Sequence, residues 1–249
     1  VLGVPLAVSD YREVIDWMHA VIATGGRGYV TAAAVNLVMS AREDPATMNA
    51  VLGATLAVPD GQPLVWALRA LGHPGATRVY GPDLMALFCQ SAAREGTPIY
   101  LYGGRTPEAL TLLQQRLRER FPGLQIAGAY SPPFRPPTPE EDEQQARAID
   151  DSGAEVVWVG TGQPKQELWM HRMRPRLQAP LLVGVGAAFD FHAGLVSQAP
   201  PWMQRSGLEW AYRLSREPRR LWRRYLSQNP LFIALFARQY ARHRRARAS

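Results

Sequence analysis

The 249-residue sequence has one cysteine, Cys89, and one lysine, Lys165, among its 28 basic residues. A single thiol cannot form a disulfide within the chain, so a reducing compartment is the default expectation. In the helix-like run 84–89 it reads as a small buried hydrophobe. No apolar run approaches the ~20 residues that a spanning helix needs. The first residues do not read as a signal peptide, and a start at Val1 rather than Met leaves room for an upstream segment. His73, His171, His192 and His243 have no metal-ligand spacing to Cys or to one another. No two aspartates stand two positions apart, so a paired-aspartate metal–diphosphate motif is missing as well. No metal is expected. There is no Walker motif, and the dinucleotide fingerprint fails: Lys165 stands where the third glycine after Gly160 and Gly162 belongs. That argues against a nucleotide-binding oxidoreductase.

Acidic charge is scarce in one region only. Residues 201–249 carry twelve arginines against two glutamates, a balance of +10, which leaves −3 for residues 1–200 out of the chain's +7. The pI near 10 therefore belongs to the tail. An apolar content of 47% is ample for a core, and the length fits one α/β domain with an appendage or two small domains.

What is present is a set of strand–glycine–helix junctions. The β-prone run Val156-Val157-Trp158-Val159 opens into Gly160-Thr161-Gly162-Gln163-Pro164-Lys165-Gln166-Glu167. Glycines after a strand also serve a plain turn, but a turn needs neither the two amides, the lysine nor the carboxylate of 163–167. A strand opening onto a helix start leaves backbone N–H groups free to hold a phosphate. Leu181-Leu182-Val183 runs likewise into Gly184-Val185-Gly186-Ala187-Ala188-Phe189-Asp190, and Ile99-Tyr100-Leu101-Tyr102 into Gly103-Gly104. Three such junctions predict a parallel sheet whose carboxyl edge binds a nucleotide or another phosphorylated ligand.

Around them the pattern predicts a helix from Asp10 to about Ala23, a strand at 29–31, helical periodicity through Val35, Val38 and Met39, a strand at 55–58, and helices from Gly61 to Leu71 and from Pro82. Thr106-Pro107 is an N-cap with proline at the first helical position, followed by the stripe Leu110, Leu113, Leu117, Phe121. Thr138-Pro139-Glu140-Glu141 is a capping box, and the proline-rich stretch 132–139 is a loop. This alternation predicts an α/β fold, a largely parallel Rossmann-like sheet flanked by helices. At Pro200-Pro201 strand signals end, which divides the chain into a catalytic unit, 1–200, and an Arg-rich helical appendage, 201–249.

Asp60 ends a strand on the functional edge. It either takes a proton from an acceptor hydroxyl, being ionised at neutral pH with an unperturbed pKa of ~3.9, or caps the helix that follows. Asp190 either binds a ribose hydroxyl or caps its turn. In the tail, apolar residues at 231–236 among arginines, with Trp and Tyr nearby, fit a helix lying in an anionic bilayer surface. A helical subdomain packed on the core with a solvated basic face is the alternative. Nucleic acid is not expected, because basic charge alone would serve it and the apolar run would not.

Together, Pro59-Asp60-Gly61, Arg78-Val79-Tyr80-Gly81-Pro82-Asp83-Leu84, the 162–167 and 184–190 segments and residues 209–224 resemble, in order, the WecG/TagA/CpsF glycosyltransferase family. The resemblance implies an inverting, metal-independent enzyme without a cofactor. It would move a sugar from a nucleotide-sugar, usually a UDP-sugar, to a polyprenyl-diphosphate-linked sugar at the cytoplasmic membrane face, in cell-surface polysaccharide synthesis. A non-catalytic nucleotide-binding protein held to membrane or nucleic acid by its tail is the rival reading, and a homo-oligomer is admitted. The resemblance makes Asp60 the base, with Arg78 and Gln166 beside it as site residues. Tyr102, Gly103, Gly104, Gly160, Gly162, Gln163, Lys165, Glu167, Gly186 and Asp190 are the donor-binding candidates. Thr31, Asn36, Arg213, Arg220 and Arg223 are the candidates for the acceptor or the diphosphates. In one place the chain departs from the family: Thr-x-Asn after the first sheet strand is replaced by Thr31-Ala32-Ala33-Ala34-Val35-Asn36.

Overall fold

The structure, a computed structural model, describes residues 1–248, without the side chains of Arg220, Arg223, Arg224 and Ala248. Six strands, β1 (Gly28–Ala33), β2 (Leu56–Pro59), β3 (Ile99–Gly103), β4 (Ile126–Tyr130), β5 (Val156–Gly160) and β6 (Leu181–Gly184), form one sheet in the order β2-β1-β6-β5-β3-β4. Every pairing is parallel. Parallel strands need crossovers, and helices supply them on both faces. These are α1 (Tyr11–Ala23), α2 (Val35–Glu43), α3 (Pro45–Leu52), α4 (Gln62–Ala70), α5 (Gly81–Glu95), α6 (Pro107–Arg120), α7 (Pro139–Asp151) and α8 (Lys165–Met173). After β6 the described chain is helical: α9 (Ala188–His192), α10 (Pro201–Arg205), α11 (Glu209–Arg216) and the long α12 (Pro218–Ala248), with Pro230 inside it.

The local signals act as their chemistry requires. Asp10 closes a capping box with Glu13, Thr138 closes one with Glu141, and the Thr106 side chain accepts from Ala109 N–H. Two elements lie outside the sequence-based expectation. Helix α3 starts at Asp44-Pro45, with the Asp44 carboxylate accepting from Ala46 and Thr47 N–H. Strand β4 is only half-buried at the sheet edge, so Ile126-Ala127-Gly128-Ala129-Tyr130 has little apolar pattern to display.

From β1 the chain steps to one side of the sheet and from β3 to the other. The crevice over the carboxyl ends of β1, β6, β5 and β3 is thus the switch point where such sheets bind ligands. Glycine is mandatory there. A Cβ on Gly103, whose φ is +141°, would come within 2.6 Å of the Gly160 carbonyl carbon, and one on Gly160 within 2.5 Å of the Phe189 ring. The backbones of β3 and β5 and the start of α9 close up because nothing stands between them.

Helix α12 packs on α2. Phe232, 5% exposed, joins Leu37, Val38 and Leu64 in a buried cluster, with Leu235 and Phe236 packed against it. Gln239 Oε1 accepts from Leu2 N–H at 2.9 Å. The 231–236 stripe is thus divided: Phe232 faces the core, while Leu231 and Ile233 (66% exposed) face outward. Phe232→Ala should cost about 3–5 kcal/mol in denaturant titration. Ile233→Ala should stay within about 0.5 kcal/mol of wild type.

Candidate active site

The carboxyl edge of the sheet opens into a cavity of about 520 Å³, to which the ends of all six strands contribute. Ala32, Ala34 and Asn36 come from the end of β1, Asp60 from β2 and Tyr102, Gly104 and Arg105 from β3. The 132–137 loop after β4, residues 160–165 after β5 and residues 185–191 after β6 complete the wall, and Arg213 and Leu221 reach it from α11 and α12.

Asp60 does not cap α4. The N-cap there is Gly61, without any side-chain bond. Asp60 Oδ1 instead accepts the N–H of Gly81, the first residue of α5, at 2.7 Å. Among the described residues no hydrogen bond engages Oδ2. Burial pushes this carboxyl up to about 7, against the pull of Arg78; Glu209 pushes the same way as burial and Arg213 opposes it. The unperturbed value expected from sequence is therefore wrong. An acid of ordinary strength becomes one poised for proton transfer near neutral pH.

Arg78 and Gln166 do not line the cavity; they stand behind its wall. Arg78 donates from Nε to the Asp60 carbonyl at 2.5 Å, from Nη1 to Gln204 Oε1 at 3.2 Å and from Nη2 to Glu209 Oε2 at 2.5 Å. Gln166, fully buried, accepts the Gly186 N–H on Oε1 at 2.9 Å and donates from Nε2 to Glu167 Oε1. Glu167 is buried and receives the Thr31 hydroxyl at 2.6 Å, and burial raises its pKa. Thr31, Gln166 and Glu167 form an interior brace that fixes the Gly186 turn from behind. Neither Thr31 nor Glu167 lines the cavity, and Gly103 serves the close approach of β3 to β5.

Gly104, Gly160, Gly162, Gln163, Lys165, Gly186 and Asp190 do line it, as do Tyr102, Asn36 and Arg213. Gln163 donates to the Ala32 carbonyl at 2.6 Å, tying the 160–165 loop across to β1. Tyr102 stacks on Trp169 with centroids 3.9 Å apart. Arg220 and Arg223 have side chains outside the described part of the structure.

Several wall residues were missed from sequence. Arg105 donates to Asp190 at 2.8 Å and to Glu217 at 3.0 Å. Phe134, 81% exposed, lies 5.7 Å beneath the Lys165 ammonium. Among the described residues, Thr161 Oγ1 is buried without a hydrogen-bond partner. Arg105 follows Gly103-Gly104, a junction already marked by its glycines. Arg78, which pairs with Glu209, and Arg105, which pairs with Glu217, lie more than a hundred residues from them, and such pairs leave no local signal.

Comparison with models of known families matches residues 1–246 to the glycosyl transferase WecG/TagA/CpsF family. The chain belongs to this family. This WecG/TagA/CpsF protein is therefore a glycosyltransferase of cell-surface polysaccharide biosynthesis, a family that works with a nucleotide-sugar donor and a lipid-linked acceptor. The reading as a non-catalytic binder falls away.

Because folding raises the Asp60 pKa, its carboxylate is disfavoured in the folded state. The native state holds the proton between about pH 4 and 7 where the unfolded chain releases it, so wild type loses stability over that interval. Asp60→Asn should gain on wild type by on the order of 1.4 kcal/mol per pH unit there and level off above pH 7, as read by thermal unfolding at stepped pH. A flat difference across the range would place Asp60 at an ordinary pKa.

Proposed function

We propose that this glycosyltransferase is an inverting enzyme that needs no metal or cofactor and takes a UDP-sugar, of hexose or N-acetylhexosamine type, to a polyprenyl-diphosphate-linked sugar. The observation that carries the reading is a buried carboxyl, Asp60, raised to about 7, on the wall of a cavity that also presents glycine turns and the cations Arg105, Lys165, Arg172 and Arg213. The acceptor hydroxyl gives its proton to Asp60 while its oxygen bonds to the anomeric carbon. The bond from that carbon to the diphosphate oxygen breaks, and the nucleoside diphosphate leaves with the electron pair. Attack opposite the leaving group inverts the centre.

Charge on the leaving diphosphate must be met as it develops. Arg105, Lys165, Arg172 and Arg213 line the cavity, and such cations are suited to phosphate oxygens. Among the described residues no three His, Cys, Asp or Glu are grouped to hold a metal. The stacked Tyr102 and Trp169 offer an apolar wall to a nucleobase.

Attachment to the membrane face is the second part of the reading. Among the described residues no helix is long and apolar enough to cross a bilayer. Exposed Trp222, Leu226, Leu231 and Ile233 lie on α12 with exposed Arg238, Arg242 and Arg244, a pattern suited to an anionic surface.

Asp60→Asn should lower transfer by about 10²–10⁴-fold with UDP affinity nearly intact, measured by product formation and calorimetry. Near-normal turnover would remove Asp60 from the role of base. EDTA should leave turnover unchanged, and a loss restored by manganese or magnesium would contradict the metal-free reading. Co-sedimentation with anionic vesicles should weaken as salt rises, each arginine near the surface contributing roughly 1 kcal/mol. Leu226→Glu with Ile233→Glu should weaken it further without changing the unfolding temperature.

A further inference from the structure

We infer that Glu209, at the start of α11, is a positioning residue that holds Arg78 and Tyr80 behind Asp60 and sets how readily Asp60 takes a proton. The inference rests on the reading of Asp60 as base. Each Glu209 oxygen has its own partner: Oε2 accepts from Arg78 Nη2 at 2.5 Å and Oε1 from the Tyr80 hydroxyl at 3.1 Å. The Arg78 guanidinium lies flat over the Tyr80 ring, 4.0 Å from its centroid. One residue on, Gly81 gives its N–H to Asp60 Oδ1, and Arg78 Nε holds the Asp60 carbonyl. The segment that Glu209 grips is therefore the one that grips Asp60 at both its backbone and its side chain.

Charge leads to the same assignment. Among the described residues, the charged and titratable groups around Asp60 are Arg78 and Tyr80 from the loop before α5, and Glu209 and Arg213 from α11. Left to itself, Arg78 would hold Asp60 as a carboxylate of low proton affinity, a poor base. Glu209, 17% exposed and paired with an Arg78 side chain only 14% exposed, takes up that positive charge. It also adds a negative charge of its own, in a setting where solvent screens little. Glu209 lies 149 residues along the chain from Asp60, in the basic helical tail, so the tail contributes to the acid–base chemistry of the sheet edge.

The test reads Asp60 without relying on turnover. The pH at which wild type stops losing stability to Asp60→Asn marks the folded-state pKa of Asp60. The same comparison is made in a Glu209→Gln background, between the single variant and Glu209→Gln with Asp60→Asn. The levelling point should fall by about one pH unit, and the acid limb of kcat/KM should move down with it. Gln204→Glu, which adds a carboxylate on the Nη1 side of Arg78 and leaves Glu209 in place, should move the levelling point up. It decides the matter if Glu209→Gln does not fold. Tyr80→Phe removes a hydrogen bond to Glu209 but no charge, and should lower the unfolding temperature without moving the point. A levelling point unmoved by Glu209→Gln, or by Gln204→Glu where the first variant does not fold, would overturn the inference. Full turnover in Asp60→Asn would instead overturn the base, with the linkage result still standing as measured.

Discussion

Arg78 donates from three nitrogens to three different elements: the backbone of Asp60 at the end of β2, Gln204 in α10 and Glu209 in α11. Its guanidinium is largely withdrawn from water, and a buried cation is tolerated only when its donors are satisfied. The pair with Glu209 is weak grounds for net stability, since desolvation offsets much of the attraction. Its consequence is geometric. A planar fork with fixed directions dictates where α10 and α11 lie relative to the sheet edge, and with them Arg213 on the cavity wall. Removing either partner would leave a buried unpaired charge, at a cost of about 3–5 kcal/mol. Arg78 thus ties the sheet edge to the tail helices that close over it.

On the other side of the cavity the constraint is steric. Gly103, Gly160 and Phe189 are stacked so closely that a methyl group at either glycine would collide with its neighbour. That closeness brings the turns after β3, β5 and β6 together around one space instead of three. The Thr31–Glu167–Gln166 brace fixes the Gly186 turn from within. A wall fixed in this way needs little reorganisation as charge develops on a leaving group. In the proposed reading the rigid wall holds the donor, while the polar contacts of the tail hold the segment that grips Asp60.

Much of this was legible in the sequence, wherever the cause is local. The capping boxes at Asp10 and Thr138, the Thr106-Pro107 start and the glycine junctions at 103–104, 160–162 and 184–186 each report a backbone requirement carried by the residues themselves. Helix α3 carried such a signal too, in Asp44-Pro45. Strand β4 did not, because an edge strand buries too little to show alternation. The site was legible as a list of positions but not as a set of depths. Nothing in the string Gln163-Pro164-Lys165-Gln166-Glu167 says that Gln163 and Lys165 face the cavity while Gln166 and Glu167 face the core. Only the helical turn onto the sheet decides that. Phe232 shows the same limit: an apolar stripe that reads as one face is shared between the core and the surface.

The pKa of Asp60 is the clearest case of a property that no local pattern encodes. It results from burial at the end of β2, opposed by Arg78 and Arg213 and reinforced by Glu209, and so depends on residues that are neighbours only after folding. The same electrostatics bear on the order of events in the proposed reaction. A diphosphate entering the cavity brings negative charge towards a carboxyl already held near 7, and by Coulomb's law raises its proton affinity further. For a base that is an advantage only while it remains unprotonated, so the incoming charge must be largely neutralised before it is felt at Asp60. Arg105, Lys165, Arg172 and Arg213 on the wall can do this. Arg105 is already oriented by Asp190 and Glu217, so that cation need not be ordered when the donor arrives. In the proposed reaction, cations matched to the donor and a base tuned from the tail are thus two halves of one electrostatic requirement, to which the tail contributes Arg213 and Glu209.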